Sequence, residues 1–479
     1  MNAAIQEFIK DFSKEIEEHN AAIFAGAGLS VPAGYVDWKS LLEPIAKEIG
    51  LDVIREDNLV ALAQYHFNEH GQNRARLNQV LVNQFSEITR LTENHAILAR
   101  LPISTFWTTN YDPLIEVALE HADKIPDVKY TTEQLAVTRP RRDAVVYKMH
   151  GDVAHPDKAV LIKDDYEAYH VTMAPFITAL SGDLVSKTFL FIGFSFSDPN
   201  LDYVLSRIRI AYLKNQRRHY CFLRAVVREK DEAEDAFEYR KVKQALFIND
   251  LKRFNIKALM IENYGEITEI LRAIELKHKQ RSIFIGGSAH EYGAWTREDA
   301  QQFIHDVAAA LVTERYRVIS GFGLGVGSAV INGALETIYS NKRRYSDEQL
   351  MLRPFPQDET GKLKQQELWE RYRQEMISYA GIGIFMFGNK IVDGKVVEAN
   401  GLEREFRIAV DHGCLVVPIG ATGFVAEKLF NEVMANFDKY FPQSDAKLKP
   451  LFTQLGDKSA TPVGLLKILM EVVRLIHRT

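Results

Sequence analysis

At 479 residues the chain exceeds a usual single domain, so two domains are expected, each with a sizeable core. A hydrophobic share of 46% beside 26% charged residues excludes an extensively disordered chain, and a net charge of −5 makes no case for nucleic acid or an acidic membrane as partner. Two cysteines, Cys221 and Cys414, exclude a four-cysteine zinc site and a disulfide framework and suit a reducing compartment.

In chain order, charged residues run through the first twenty positions without an apolar signal-peptide core. No apolar run reaches membrane-spanning length, so a cytoplasmic location is expected. Ile5, Phe8, Ile9, Phe12 and Ile16 recur at three- and four-residue spacing, which predicts an amphipathic helix. Residues 21–25 read as a buried strand running into Gly26-Ala27-Gly28-Leu29-Ser30. Helices are expected over 38–49 and 59–67, a strand over 104–109, a helix over 113–121, and strands over 144–149 and 188–193. Two more apolar runs, 219–227 and 256–261, flank a strongly charged helical segment.

Strands alternating with helices predict a parallel sheet covered on both faces, with ligands beyond the carboxyl ends of its strands. Four groups stand at those ends. In Gly26-Ala27-Gly28 the glycines allow backbone N–H groups to approach a pyrophosphate, or serve an ordinary tight turn. Asn110, in Thr109-Asn110-Tyr111-Asp112, offers an amide to a ribose hydroxyl or a water, or simply forms the turn. His150, before Gly151, can act as a general base near neutral pH, or be a satisfied core or surface histidine. Gly193-Phe194-Ser195 adds a small polar site after a further strand.

In order and rough spacing these groups resemble the NAD-binding motifs of the sirtuin superfamily. The resemblance implies that Gly26, Ala27, Gly28 and Ser30 surround the phosphates and ribose of NAD. It implies that Asn110 orients the nicotinamide ribose or the attacking water, that His150 acts on the ribose hydroxyls, and that Gly193 and Ser195 hold the adenosine side. Asp112 belongs to the same motif. The chain departs from the deacetylases in lacking their zinc cysteines and their Pro-Asp-Phe-Arg run; Asp37 stands in for that Asp, with no Arg after it. The expectation is an NAD pocket that breaks the glycosidic bond with water as acceptor and needs no metal.

Near residue 280 the pattern restarts. The polar stretch 277–281 reads as a connection, and strands are expected over 283–285, 317–319, 351–355, 382–387 and 415–419. Gly286-Gly287-Ser288 and the run Gly321-Phe322-Gly323-Leu324-Gly325-Val326-Gly327-Ser328, which opens a helix over 329–338, suit a phosphate cradle or tight strand–helix packing. Arg373, Gly388-Asn389-Lys390 and Glu405 lie near strand ends, where an Arg, a Lys and a carboxylate suit phosphates and a ribose diol.

This half resembles the SLOG family of Rossmann-like nucleotide sensors and lacks the Pro-Gly-Gly-x-Gly-Thr motif of the related phosphoribohydrolases. The fold class is therefore α/β with two Rossmann-like domains: a sirtuin-like parallel sheet without a zinc module over 1–279 and a smaller SLOG-like domain over 280–479. The pairing resembles the NAD-consuming effectors of the Thoeris antiphage systems. That likeness implies a latent NADase, switched on by a cyclic ADP-ribose isomer made by a TIR-domain partner protein. It places the signal against Gly287, Ser288, Gly323, Gly325, Arg373, Asn389, Lys390 and Glu405, and implies a homotetramer. The alternatives are an NAD-dependent protein deacylase and a non-catalytic NAD-binding scaffold.

Overall fold

Along the second buried strand the side chains divide strictly by parity: Phe106 joins the apolar layer of Ile23, Val146 and Leu190, whereas Trp107 joins that of Phe24, Phe189 and Phe191. A strand buried on both faces in this way must be sandwiched by helices, and the computed structural model shows that arrangement twice. It describes residues 2–85, 90–196, 198–212, 215–356, 364–442 and 445–478, in two units, Met1–Glu275 and Leu276–Thr479.

In the first unit seven parallel strands form one sheet: β1 (Ala21–Ala25), β2 (Thr105–Thr108), β3 (Pro126–Lys129), β4 (Ala144–Lys148), β5 (Thr188–Ile192), β6 (His219–Arg224) and β7 (Ile256–Ile261). Their spatial order is β3-β4-β2-β1-β5-β6-β7. From β1 the chain builds outward on one side through β2 to β4 and then crosses to β5 on the other. β1 is thus the switch point, where adjacent loops part and leave a crevice. The helix Ala3–Glu17 fits its predicted stripe, with Phe8 and Phe12 fully buried. Phe8 packs on Tyr220 and Phe222 at 4.8 and 5.8 Å between ring centroids. Burial of that kind contributes about 1.5–3 kcal/mol per ring.

Between β1 and β2 the chain inserts the helices Trp38–Glu48, Leu59–Glu69 and Ala75–Phe85. Their buried faces form a separate apolar cluster with Tyr111, Ala159 and Leu161 of the loops that follow β2 and β4 and with Leu114, which opens the helix Leu114–His121. The insert therefore packs on the carboxyl edge of the sheet.

The second unit holds five parallel strands, β8 (Ser282–Ser288), β9 (Arg317–Ser320), β10 (Leu350–Leu352), β11 (Ile382–Phe387) and β14 (Leu415–Pro418), in the order β10-β9-β8-β11-β14. A hairpin of β12 (Asn389–Val392) and β13 (Lys395–Glu398) follows β11. Two expectations shift. The polar stretch expected as a connection is largely the end of a helix, Gly265–Lys279, since nothing in Lys277, His278 or Lys279 breaks a helix. The strand expected over 351–355 stops at Leu352, before Pro354, which has no N–H to give a ladder. Among the described residues no helix is long and apolar enough to cross a membrane.

Candidate functional site

Register places the first site. Ala25 of β1 pairs with Thr108 of β2 and with Ile192 of β5, and Thr108 pairs with Lys148 of β4. The four strands end level, so the residues that follow them face one crevice. Asn110 is buried there. Its Nδ2 donates to the Gly26 carbonyl (3.1 Å) and to Ser30 Oγ (3.0 Å), and its backbone N–H donates to Thr108 Oγ1 (2.9 Å). Both amide hydrogens are thus committed to the Gly turn, which leaves the side-chain carbonyl as its unused group.

Of the two readings of the glycines, the tight turn is the one with direct contacts. A Cβ on Gly26 would come within 2.5 Å of the Gly193 carbonyl oxygen, and one on Gly28 within 2.9 Å of the Gly193 Cα. Gly28 N–H donates to the Gly193 carbonyl (2.9 Å) and Gly26 N–H to that of Ile192 (3.0 Å). The Gly turn after β1 and the turn after β5 therefore interlock backbone to backbone, so tight packing already demands small residues. Ala27 is half-buried, Gly28 exposed and Ser30 buried on the short helix Ala27–Ser30. Ser195 is exposed in the loop after β5. Asp37 is exposed and caps the helix Trp38–Glu48, accepting from Ser40 N–H (2.9 Å).

His150 is 2% exposed and its backbone is clamped: its carbonyl accepts from Val160 N–H (2.9 Å), and the preceding carbonyl, of Met149, accepts from Tyr169 OH (3.0 Å). Its Nε2 lies 3.0 Å from Oδ2 of Asp198, and both ring nitrogens, Nε2 and Nδ1, are buried without a hydrogen-bond partner among the described residues. Asp198 follows β5, whereas His150 follows β4. Their contact therefore spans the ends of β2 and β1, over Asn110 and the Gly turn. Burial pushes the Asp198 carboxyl up, but the His150 ring and the N–H groups of Leu201 and Asn200 outweigh it and hold the group below its ordinary value. Asp198 escaped sequence reading because Asp-Pro-Asn before a helix reads as a cap, which it also is: Oδ1 accepts from Asn200 and Leu201 N–H, both at 2.9 Å.

Beneath the crevice lies a second unforeseen group. Lys148 is fully buried at the end of β4, and its Nζ donates to the carbonyls of Tyr111 (3.1 Å) and Asp112 (2.8 Å) while pairing with Glu116 (3.0 Å) and Asp152. One ammonium thus ties the loop carrying Asn110 to the loop carrying His150. Asp112 accepts from Leu114 N–H (3.0 Å), and burial pushes its carboxyl up against the pull of that N–H and of Lys148. Away from the crevice, Glu48, His66 and His70 bring ligand-type atoms within 4.8 Å of one another, with Glu48 already paired to Arg76 (2.6 Å).

The second unit repeats the interlocking. A Cβ on Gly323 would meet the Gly287 carbonyl at 1.9 Å, and one on Gly325, at φ +74°, the Ala289 carbonyl at 1.9 Å. Beyond these turns Arg373 and Glu405 approach to 3.7 Å, past hydrogen-bond reach, and Arg373 Nε is buried without a hydrogen-bond partner among the described residues. The guanidinium lies over the Phe355 ring at 4.9 Å and the Trp369 ring at 5.7 Å, aromatic neighbours the sequence had not suggested. Burial pushes the Glu405 carboxyl up to about 7, against the opposing pull of Arg373. Ser288 Oγ is buried without a hydrogen-bond partner, and Lys390 Nζ donates to Asn400 Oδ1 (2.9 Å). Asn389 is committed elsewhere: its Oδ1 accepts from the N–H groups of His290 and Glu291 (2.9 Å each) and its Nδ2 donates to the Glu291 carbonyl (2.8 Å). Its part is to shape the loop after β8.

Comparison with known proteins finds two families along the chain. Residues 104–245 match the family described as SIR2-like domain, and residues 266–476 match the Sir2- and TIR-associating SLOG family. The chain is 56% identical over 476 residues to NAD(+) hydrolase ThsA of Bacillus cereus (strain MSX-D12), covering 99% of each chain. It is 47% identical over 470 residues to NAD(+) hydrolase ThsA of Acinetobacter baumannii (strain 532279), covering 97% of each. Over 214 residues, 43% of this chain and 21% of the other, it is 25% identical to Defense-associated sirtuin 2 of Bacillus subtilis.

Proposed function

This chain belongs to the family of the NAD(+) hydrolase ThsA proteins, and from that premise we propose that it is a signal-gated NAD hydrolase of antiphage defence. NAD is the substrate; water cleaves it to ADP-ribose and nicotinamide. Nicotinamide leaves as a neutral group while the ribosyl carbon gains oxocarbenium character. The pocket has to orient the dinucleotide, stabilise that charge and admit water on the opposite face. Asn110, its NH2 group anchored to Gly26 and Ser30, directs a fixed carbonyl at a ribose hydroxyl or the water. His150 supplies an unpartnered ring nitrogen in the same crevice. What supports the reading is the position of Asn110 and His150 after the neighbouring strands β2 and β4, beside the switch point of the sheet, on a chain whose full-length relatives are named for NAD hydrolysis.

The finer parts rest on the SLOG half. A cyclic ADP-ribose isomer, made by a TIR-domain partner protein, binds beside Arg373, Lys390 and Glu405 and switches the enzyme on. The name of the matched family, which couples SLOG to both Sir2 and TIR, supports that pairing. So do a guanidinium stacked on two aromatic rings and a buried carboxyl beside it, a set suited to phosphate and ribose hydroxyls. The protein acts in the cytoplasm as a homotetramer. Purified protein is expected to release nicotinamide from NAD slowly, and faster once the cyclic isomer is added. Asn110→Ala should lower that release by at least roughly 100-fold, the scale of losing one preorganised polar group. Nicotinamide quantified by chromatography decides it: an undiminished rate in Asn110→Ala removes the catalytic assignment, and equal rates with and without signal remove the gating.

A further inference from the structure

We propose that Asp198 is the positioning residue of His150, fixing its proton on Nε2 so that Nδ1 is the basic atom facing NAD. The inference rests on the hydrolase reading and adds to it the tautomer, the atom and the partner. An ionised carboxylate only accepts, so a ring nitrogen held 3.0 Å from Oδ2 must carry the hydrogen, and the lone pair then lies on the other nitrogen. That other nitrogen, Nδ1, is buried on a residue 2% exposed and has no hydrogen-bond partner among the described residues. Leaving such an atom unpaired is costly unless a ligand satisfies it. Nε2 itself makes no hydrogen bond here, so what distinguishes it from Nδ1 is its 3.0 Å approach to Oδ2, and catalytic contacts are often poorly aligned until substrate tightens them.

The remaining groups around the pair leave Asp198 as the charge that acts on it. Tyr166, on the helix Lys163–Thr172, packs edge-on against His150 at 5.4 Å. Tyr169 of the same helix and Tyr111 of the loop after β2 stand near Asp198. Burial raises all three phenols far above 10, so none ionises near neutrality. Asp165 is neutralised by Arg74 at 2.8 Å.

In the reaction, water adds to the ribosyl carbon as its bond to nicotinamide breaks. The electron pair of that bond goes to the ring nitrogen of nicotinamide, which leaves neutral. The proton of the water goes to Nδ1, and Asp198 stabilises the imidazolium until solvent takes the proton.

The test uses the full chain and the fluorogenic substrate etheno-NAD from pH 5 to 9. Asp198→Asn and Asp198→Ser remove the charge, while either side chain can still cap the helix Pro199–Tyr212. Both are expected to lower kcat at least roughly tenfold with KM and melting temperature little changed. A structural role alone would change KM or the melting temperature together with kcat. An unchanged kcat, or a rate that rises because the contact had held His150 away from substrate, overturns the inference. Asn110→Ala runs in parallel: if it abolishes cleavage while the Asp198 variants behave as the parent, this inference alone fails. If it leaves cleavage intact, the hydrolase reading fails first.

Discussion

A single carboxyl, Glu405, carries a pH dependence whose sign can be worked out. Burial raises it to about 7, with Arg373 pulling the other way. In the unfolded chain a glutamate ionises near 4.3. Between that value and 7 the folded chain holds a proton the unfolded chain has lost, so stability of the second unit falls as pH rises through this window and levels off above it. Glu405→Gln keeps the shape and removes the titration. Its melting temperature is therefore expected to exceed that of the parent at pH 8 and to match it near pH 4.5. A thermal-shift series across that range measures this, and a gain of equal size at both ends would assign the effect to packing. Protonation of Glu405 also removes the carboxylate charge 3.7 Å from Arg373, so the guanidinium is freest for a phosphate on the acidic side of 7.

At the scale of elements, the turns that follow strands hold the site together. Gly193 has φ +65°, and a Cβ there would lie 2.2 Å from Leu29 N and 2.6 Å from the Gly28 carbonyl carbon. Gly193→Ala adds left-handed strain of about 1–2 kcal/mol to an overlap with backbone that cannot rotate away. It should cost at least about 2 kcal/mol of unfolding free energy by denaturant titration and weaken NAD cleavage, because Gly28 and the Asn110 anchor move with it. A variant of parent-like stability would show that the two turns can separate.

These turns also mark what was legible beforehand. Strands buried on both faces announce themselves as apolar runs, so β1, β2, β4, β5 and β11 fall where the sequence puts them. β3 does not, because it is an edge strand that opens with Pro126 and carries Asp127 and Lys129. Asn110 and His150 were visible because they directly follow strands. Asp198 and Lys148 were not, because each is used through a partner distant in sequence. For the glycines, sequence shows that a side chain is absent, and only coordinates show that the space belongs to another backbone.

At the scale of the molecule, the strand ends that carry Asn110 and His150 and the helix Gln365–Ser378 that carries Arg373 belong to different units. Under the gating proposed above, what joins them is a coupling free energy. A signal with equal affinity for resting and active arrangements would shift nothing, however tightly it bound. Contacts that recognise the signal must then be stronger in the active arrangement, and Arg373 is the group best suited to that, since its buried Nε is unpaired and 3.7 Å from its nearest carboxylate. A charge-assisted hydrogen bond formed only on activation contributes about 1.5–3 kcal/mol. Arg373→Ala should therefore raise the half-maximal activating concentration of a cyclic ADP-ribose isomer by roughly 10- to 150-fold. The unstimulated rate should stay at the parent value, because Arg373 lies outside the crevice that holds Asn110 and His150. Dose–response curves of nicotinamide release give both quantities at once. An unstimulated rate that moved with the substitution would mean that Arg373 biases the resting equilibrium by itself, and an unshifted midpoint would place the signal elsewhere.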